Sequence, residues 1–349
     1  MMAYKSDFDE YKRLGEPEKA EKAEIWQTAI GLQQVDGLVP SEYLIETAKQ
    51  NIEGEITIYE VHERLSSYYE AKPVRATSDE RIEEADKVSA RIAEILSEKT
   101  FSFSPAEYLT IHRRLFTGIY RFAGKIRDYN ISKAEWVLGG ETVYYASANS
   151  IRATLNYDFE QEKAFVFKGL HKEQIVEHIA RFISGIWQIH AFGEGNTRTT
   201  AVFAIKYLRT FGFTVTNDLF ADHSWYFRNA LVRANYNDYK NNVFATQEYL
   251  NRFFRNLLLG EDYTLQNREM RISLIGKNSN GTVNVESGTV NGTVFSLIQD
   301  NPKIIGEQLA QQLGMSLRTV RREMKRLKDE GYIERVGSDK AGYWVVLKG

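Results

Sequence analysis

Apolar residues recur at helical spacing along most of the chain. Ile25, Ala29, Leu32 and Val35 mark one face of a helix that Gly37 and Pro40 bring to an end. Pro40-Ser41 opens a second helix, through Tyr43, Leu44 and Ala48, and "GEIT" at 54–57 turns into a third, through Val61, Leu65 and Tyr69. The pattern predicts a helical unit over 25–72, preceded by a charged, frayed tail over 1–24. Residues 77–260 read as almost entirely helical, within a domain placed at 73–260. The exception is "EWVLGGETVYYAS", 135–147, where β-branched and aromatic residues flank Gly139-Gly140 in the pattern of a hairpin. Past Gly260 the periodicity fades, and "NGTV", "SGTV" and "NGTV" follow at 280–283, 287–290 and 291–294. This short polar repeat reads as a flexible linker over 261–290. The tail then predicts a helix at 293–300, a break at Asn301-Pro302, and a helix at about 304–313. A turn at Gly314, a helix at 317–330 capped by Ser316, and two strands within 332–347 complete it. Helix, helix-turn-helix and β-wing define a winged-helix domain over 291–349. The expected class is mainly α.

Length and composition narrow the picture. A chain of 349 residues is too long for one core, so two or three domains are expected. The absence of cysteine excludes a disulfide framework, a thiolate metal site and a cysteine nucleophile. The first residues lack the apolar core of a signal peptide, and no run of about 18 apolar residues occurs. A cytoplasmic protein without a membrane partner is the expectation. A net charge of −2 argues against a wholly basic surface but permits local patches. One lies in "SLRTVRREMKRLK", 316–328, where Leu317, Val320, Met324 and Leu327 line one side of a helix and basic residues the other. Arg318, Arg321, Arg322 and Lys325 are the candidates for DNA contact, since arginines suit guanine edges and phosphates in a major groove. A single winged helix binds weakly, which points to a homodimer.

The chemistry concentrates in "QIHAFGEGNTRTTAVF", 188–203, a loop between two apolar helical runs. The start of the second helix offers unpaired N–H groups to an anion. Gly195 permits close approach of a phosphate, and Asn196 is suited to cap the helix or donate its amide. Arg198 adds a planar, permanently charged fork. Glu194 is an oxygen ligand suited to Mg²⁺ beside substrate phosphates. His190 can take a proton near neutral pH. Together they suggest phosphoryl or nucleotidyl transfer to a hydroxyl. Phe192 reads as a core residue that anchors the loop.

"HAFGEGNTR" resembles the Fic motif, His-Pro-Phe-x-Asp/Glu-Gly-Asn-x-Arg. Two segments support the resemblance: "IHRRLFTGIYRFAGKIRDYNISK", 111–133, is similar to the family's helix ending in Ala-Gly-Lys-x-Arg, and 135–147 stands where the family carries its substrate-docking hairpin, the flap. The resemblance implies transfer of AMP from ATP to a Ser, Thr or Tyr hydroxyl of a protein, with Mg²⁺. His190 would deprotonate the hydroxyl and Glu194 would hold the metal. Gly193, Gly195, Asn196 and Thr197 would line the nucleotide, and Arg198 would contact its distal phosphates. The flap, with Val137, Leu138, Gly139 and Gly140, would align the target. In "WYFRNALVRANYNDY", 225–239, Asn235 and Tyr226 or Phe227 would flank the adenosine. Ala191 replaces the usual Pro and Thr197 a common Gly, and Ala201 stands where many members carry a second arginine. The 25–72 unit resembles the small antitoxin that inhibits some Fic enzymes, whose glutamate misaligns ATP. Asp36 is the preferred counterpart, with Glu53 as the alternative. Removal of AMP, transfer of another phosphate-containing group, and a nucleotide-sensing DNA regulator are the competing readings.

Overall fold

The computed structural model describes residues 3–71, 77–213, 215, 218–241, 243–272, 294, 298, 301–313, 317–329, 333–336 and 342–347. It divides into two compact units, Met1–Lys277 and Asn278–Gly349. The mainly α class holds.

The first unit begins with two helices, α1 (Ala3–Leu14) and α2 (Pro17–Gly31), where the charge pattern suggested a frayed tail. Phe8, surrounded by charges in sequence, is fully buried, and Lys12 Nζ donates to Gln27 Oε1 at 3.0 Å across the pair. A single buried aromatic is too weak a periodic signal to reveal such a helix. A 3-10 turn, Leu32–Asp36, follows α2 and is closed by Gly37 in the left-handed region (φ 66°). Then come α3 (Glu42–Glu53) and α4 (Ile58–Glu70). Ser41 caps α3 and Thr57 forms a capping box with Glu60, so the predicted starts hold. The predicted end of this unit at 72 lies outside the described residues.

The catalytic-domain candidate contributes α5 (Thr77–Ser97), α6 (Pro105–Phe116), α7 (Ile151–Ala164), α8 (Lys172–Ile189) and α9 (Asn196–Thr210). It continues with α10 (Asp218–Ala234), α11 (Glu248–Leu259) and the short α12 (Asn267–Met270). Buried side chains from α2 through α11 form one cluster, so the 25–72 unit is not a separate body. At Gly31 the unit lies tightly against α10, where an added Cβ would come 2.5 Å from the Ala221 backbone. Ser224 Oγ also donates to Gly31 O at 2.9 Å.

Three expectations change here. First, α6 stops at Phe116, and the Ala-Gly-Lys-x-Arg segment lies in turns beyond it, with Gly124 at φ 74°. Second, 135–147 contains no strand. Trp136–Leu138 forms a 3-10 turn, and two backbone bonds close it, Glu135 N to Glu141 O and Gly140 N to Glu135 O. Val137 and Leu138 are both buried, although neighbours on a strand point to opposite faces. Third, the proposed linker is ordered at its start. Met270 is buried, and Ile272 N donates to Val137 O at 2.8 Å. The repeat at 280–294 lies, apart from Val294, outside the described residues.

The second unit contains α13 (Gly306–Leu313) and α14 (Leu317–Asp329), followed by β1 (Ile333–Val336) paired antiparallel with β2 (Tyr343–Val346). Its core joins Val294, Ile298, Ile304, Leu309, Val320, Met324, Leu327 and Ile333. The predicted helix at 293–300 is described only at Val294 and Ile298, and Gly314 and Ser316 lie outside the described residues. Among the described residues no helix is long and apolar enough to cross a membrane.

Candidate active site

The loop between α8 and α9 carries the motif. His190 ends α8 in the left-handed region (φ 51°), a position that a residue with a side chain occupies at a cost. Its ring packs 4.1 Å from that of Tyr145 and edge-on to Trp187 at 5.3 Å. It is 3% exposed, and neither ring nitrogen has a hydrogen-bond partner among the described residues. Burial, and then the charge of Lys133, hold its pKa well below the ordinary histidine value. The ring is therefore neutral, with a lone pair able to accept a proton.

Gly195 occupies the cap position of α9 (φ 75°), so Asn196 is the first helical residue rather than its cap. The Asn196 side chain bonds back to Phe192 twice, accepting from its N–H at 3.0 Å and donating to its carbonyl at 2.8 Å. It thus shapes the loop, because both ends of its amide are engaged. Thr197 Oγ1 accepts from Trp187 Nε1 at 3.0 Å and ties α9 to α8. At Gly193 a Cβ would come 2.6 Å from the Tyr129 hydroxyl, and at Gly195 2.4 Å from the Phe116 ring. The first-turn N–H groups of α9 have no intrahelical acceptor and carry the positive end of the helix dipole.

Arg198, 1% exposed, is the hub of the site. Its Nε lies 2.8 Å from Asp36 Oδ2, an ion pair whose geometry is off-line for a hydrogen bond. Its other nitrogens donate to Glu84 Oε1 (2.7 Å), Gln33 Oε1 (3.0 Å) and the Tyr120 hydroxyl (3.3 Å). The Phe116 ring closes one side at 4.8 Å. Burial lowers the guanidinium's pKa, but Asp36, Tyr120 and Glu84 outweigh it and raise the value above the ordinary one. Arg81 also donates to the Asp36 carbonyl, at 3.0 Å. Of the two inhibitory candidates, the structure brings Asp36 to the motif. Glu53 instead sits on the surface in an ion pair with Lys19 at 2.7 Å.

Residues far away in sequence hold the loop. His112 stacks on Phe192 at 3.6 Å between ring centroids. Its Nδ1 accepts from Gly124 N (2.8 Å), leaving Nε2–H to donate to Glu194 O (3.0 Å). Burial pushes its pKa down to about 4, and only the neutral ring can make both bonds. A folded pKa below the unfolded value of about 6.5 gives stability that is complete above pH 6.5 and lost as the pH falls toward 4. The loss expected over that window is about 3 kcal/mol. Urea midpoints measured from pH 7.5 to 4 should show it, and His112→Asn should flatten that part of the profile. Arg127 also braces the loop. Its side chain donates to His190 O at 2.8 Å and Tyr129 O at 2.6 Å, and its N–H donates to Ala191 O at 2.9 Å. The fully buried Glu135 pairs with Arg228 Nη1 at 2.9 Å and accepts from the Tyr145 hydroxyl at 3.2 Å. Burial raises its pKa against the pull of Arg228.

The remaining candidates are engaged in packing. Tyr226 is buried and its hydroxyl donates to Tyr249 O at 3.3 Å, and Phe227 is core. The Asn235 amide donates to Ser184 Oγ (2.8 Å) and Leu231 O (2.9 Å). In the flap, Gly139 and Gly140 form an exposed turn at φ 66° and 99°. On α14, Val320, Met324 and Leu327 are buried while Arg321 and Lys325 are exposed, as the amphipathic pattern predicts. Arg321 pairs with Glu307 at 3.0 Å. The side chains of Arg318 and Arg322 lie outside the described residues.

A divalent metal would find one carboxylate of the motif, that of Glu194, half-exposed and 2.8 Å from Lys133 Nζ. No group of three or more His, Cys, Asp or Glu is placed to hold an ion among the described residues. One carboxylate is the protein's usual minimum share of a Mg²⁺ site completed by substrate phosphates, and Glu194 would supply it.

Residues 102–208 match the Fic/DOC family, and residues 294–343 match an HTH domain family. The chain therefore carries a Fic/DOC domain, whose span includes the whole 190–198 loop, and a C-terminal HTH domain. Fic-domain proteins generally transfer AMP or other nucleotide groups to proteins, and an HTH domain fits DNA binding. Similar solved structures include the N-terminal Fic domain of Bep8, a VirB-translocated effector from Bartonella sp. 1-1C. It is 18% identical over 53% of this chain and 88% of that one, with a TM-score of 0.42. BepC from Bartonella tribocorum, with bound AMPPNP, gives 18%, 53%, 88% and 0.41. The N-terminal Fic domain of an effector from Bartonella sp. AR 15-3 gives 16% identity over 58% and 80%, with a TM-score of 0.36.

Proposed function

We propose that the chain is a protein adenylyltransferase, held inactive by its own N-terminal helices and associated with DNA through its HTH domain. The observation that carries this reading is the 190–198 loop, which sets a neutral, unpartnered imidazole, a carboxylate, a helix N-terminus and a guanidinium around one turn of chain. A target hydroxyl oxygen attacks the α-phosphorus of ATP, the bond to the β-phosphate oxygen breaks, and pyrophosphate leaves. His190 takes the hydroxyl proton. The first-turn N–H groups of α9 stabilise the charge that develops on phosphate oxygens. Glu194 would hold Mg²⁺, which neutralises phosphate charge when bound. Arg198 would serve the distal phosphates once released from Asp36, so the Asp36–Arg198 pair is the brake. Both the Arg198 cage and the buried His190 ring describe the braked form.

The test is labelling of protein by ATP carrying its label on the α-phosphate, with Mg²⁺, in wild type and in Asp36→Asn. Label on protein is expected, more in Asp36→Asn. His190→Ala is expected to reduce it at least about 10²-fold, the range of general-base catalysis. Labelling that survives His190→Ala overturns the mechanism. The complete engagement of Arg198 favours one second reading, a nucleotide-sensing DNA regulator. Absence of any adduct, together with DNA binding that changes with ATP, would establish that reading instead.

A further inference from the structure

The cations around the 190–198 loop differ in how they are held. Arg198 is buried among two carboxylates, an amide and a phenol. Arg127 directs its guanidinium to backbone carbonyls, and Arg228 pairs with buried Glu135. Lys133 is different. Its backbone N–H is fixed by Thr142 Oγ1 at 3.0 Å, but its side chain is a quarter exposed. Its ammonium lies 2.8 Å from Oε2 of Glu194, whose side chain is half exposed. Such a pair, open to water on both sides, is weak and readily exchanged. An anion brought to Glu194 by a metal would meet this ammonium beside it.

From this placement we infer that Lys133 is a nucleotide-binding residue that leaves Glu194 for a phosphate oxygen when the nucleotide enters. The inference rests on the nucleotide reading above and adds a specific contact to it. An ammonium on a four-carbon stem suits the task, because it presents a compact charge with three donors and can swing without a fixed orientation. In the free protein the same group covers the carboxylate that would otherwise attract stray cations. Lys133 thus has two alternating partners, Glu194 and phosphate.

The test uses the full chain as wild type, Lys133→Ala and Lys133→Arg, each with and without Asp36→Asn. Two affinities are measured, for Mn²⁺ alone by electron paramagnetic resonance and for a non-hydrolysable ATP analogue with Mg²⁺ by calorimetry. Lys133→Ala is expected to tighten Mn²⁺ binding, because a competing cation has gone. The same change is expected to weaken the nucleotide about tenfold, the loss of one charge-assisted hydrogen bond. Lys133→Arg should keep most of the nucleotide affinity. Opposite signs for the two ligands are what a merely structural lysine would not produce. Nucleotide affinity that is unchanged or tighter in Lys133→Ala overturns the inference, as does unchanged Mn²⁺ binding. If wild type and Asp36→Asn both fail to bind the nucleotide, the underlying reading falls as well, a result distinct from failure of Lys133 alone.

Discussion

Arg198→Met is expected to destabilise the first unit by about 3–5 kcal/mol, the cost of leaving buried or half-buried charge without its partner. The guanidinium sits against Asp36 at 2.8 Å and Glu84 at 2.7 Å, and its removal leaves both carboxylates facing each other's charge with no cation between them. Gln33 and the Tyr120 hydroxyl lose a donor at the same time. Asp36→Asn removes only one contact of the cage, and Glu84, Gln33 and Tyr120 remain to hold Arg198, so a loss of about 1–2 kcal/mol is expected. Urea denaturation followed by the fluorescence of buried Trp26 and Trp187 measures both. The contrast separates stability from activity. Asp36→Asn should be slightly weaker in stability yet more active, whereas Arg198→Met should be poorer in both. Arg198→Lys should fall between them in stability, since it keeps the charge but cannot bridge several acceptors with a planar fork. A loss under 1 kcal/mol in Arg198→Met would mean that the cage is not a closed, desolvated network.

Gly195→Ala is the second large effect. The backbone at φ 75° costs a residue with a Cβ about 1–2 kcal/mol. The added carbon would also lie 2.4 Å from two atoms of the Phe116 ring, and this ring cannot retreat freely because Arg198 packs on it at 4.8 Å. A total loss of about 3 kcal/mol or more is expected, with nucleotide binding lost because the turn that opens α9 moves. Combining it with Phe116→Leu should recover the steric part and leave the backbone part. A double-mutant cycle by urea denaturation should therefore show a coupling of about 1 kcal/mol or more. Additive losses would place the Phe116 ring elsewhere in solution.

How much of this was legible beforehand follows from distance along the chain. His190, Glu194, Gly195, Asn196 and Arg198 fall within nine residues, because an anion site at a helix start needs all its groups in one loop, and a local pattern can be read directly. The helix starts at Ser41 and Thr57 were equally local, since a cap acts within three residues. The groups that hold the loop in place are not local. His112 reaches Glu194 across 82 positions and Lys133 across 61, while Glu84 and Gln33 reach Arg198 across 114 and 165. His112 and Lys133 lie in the 111–133 segment similar to the family's, but nothing local shows that they reach Glu194, and nothing near Glu84 or Gln33 marks them as partners of Arg198. Arg127 carried a signal, as part of the Ala-Gly-Lys-x-Arg segment, although its work on the His190 carbonyl was not readable. The hairpin expected at 135–147 fails for a different reason. Its residues have strand propensity, but burial of both Val137 and Leu138 and the buried Glu135–Arg228 pair override a preference of that size.

The chain's own order of residues therefore determined its helical class, its Fic/DOC and HTH domains and the chemical groups offered at the loop, because periodicity and short motifs act over a few residues. Tertiary structure alone decided which acid meets Arg198, which cation covers Glu194, and that Phe8 of α1 and Ala23 of α2 join the core. Those choices depend on which helices pack together, and packing is a sum of many weak contacts between segments that no short stretch of sequence contains.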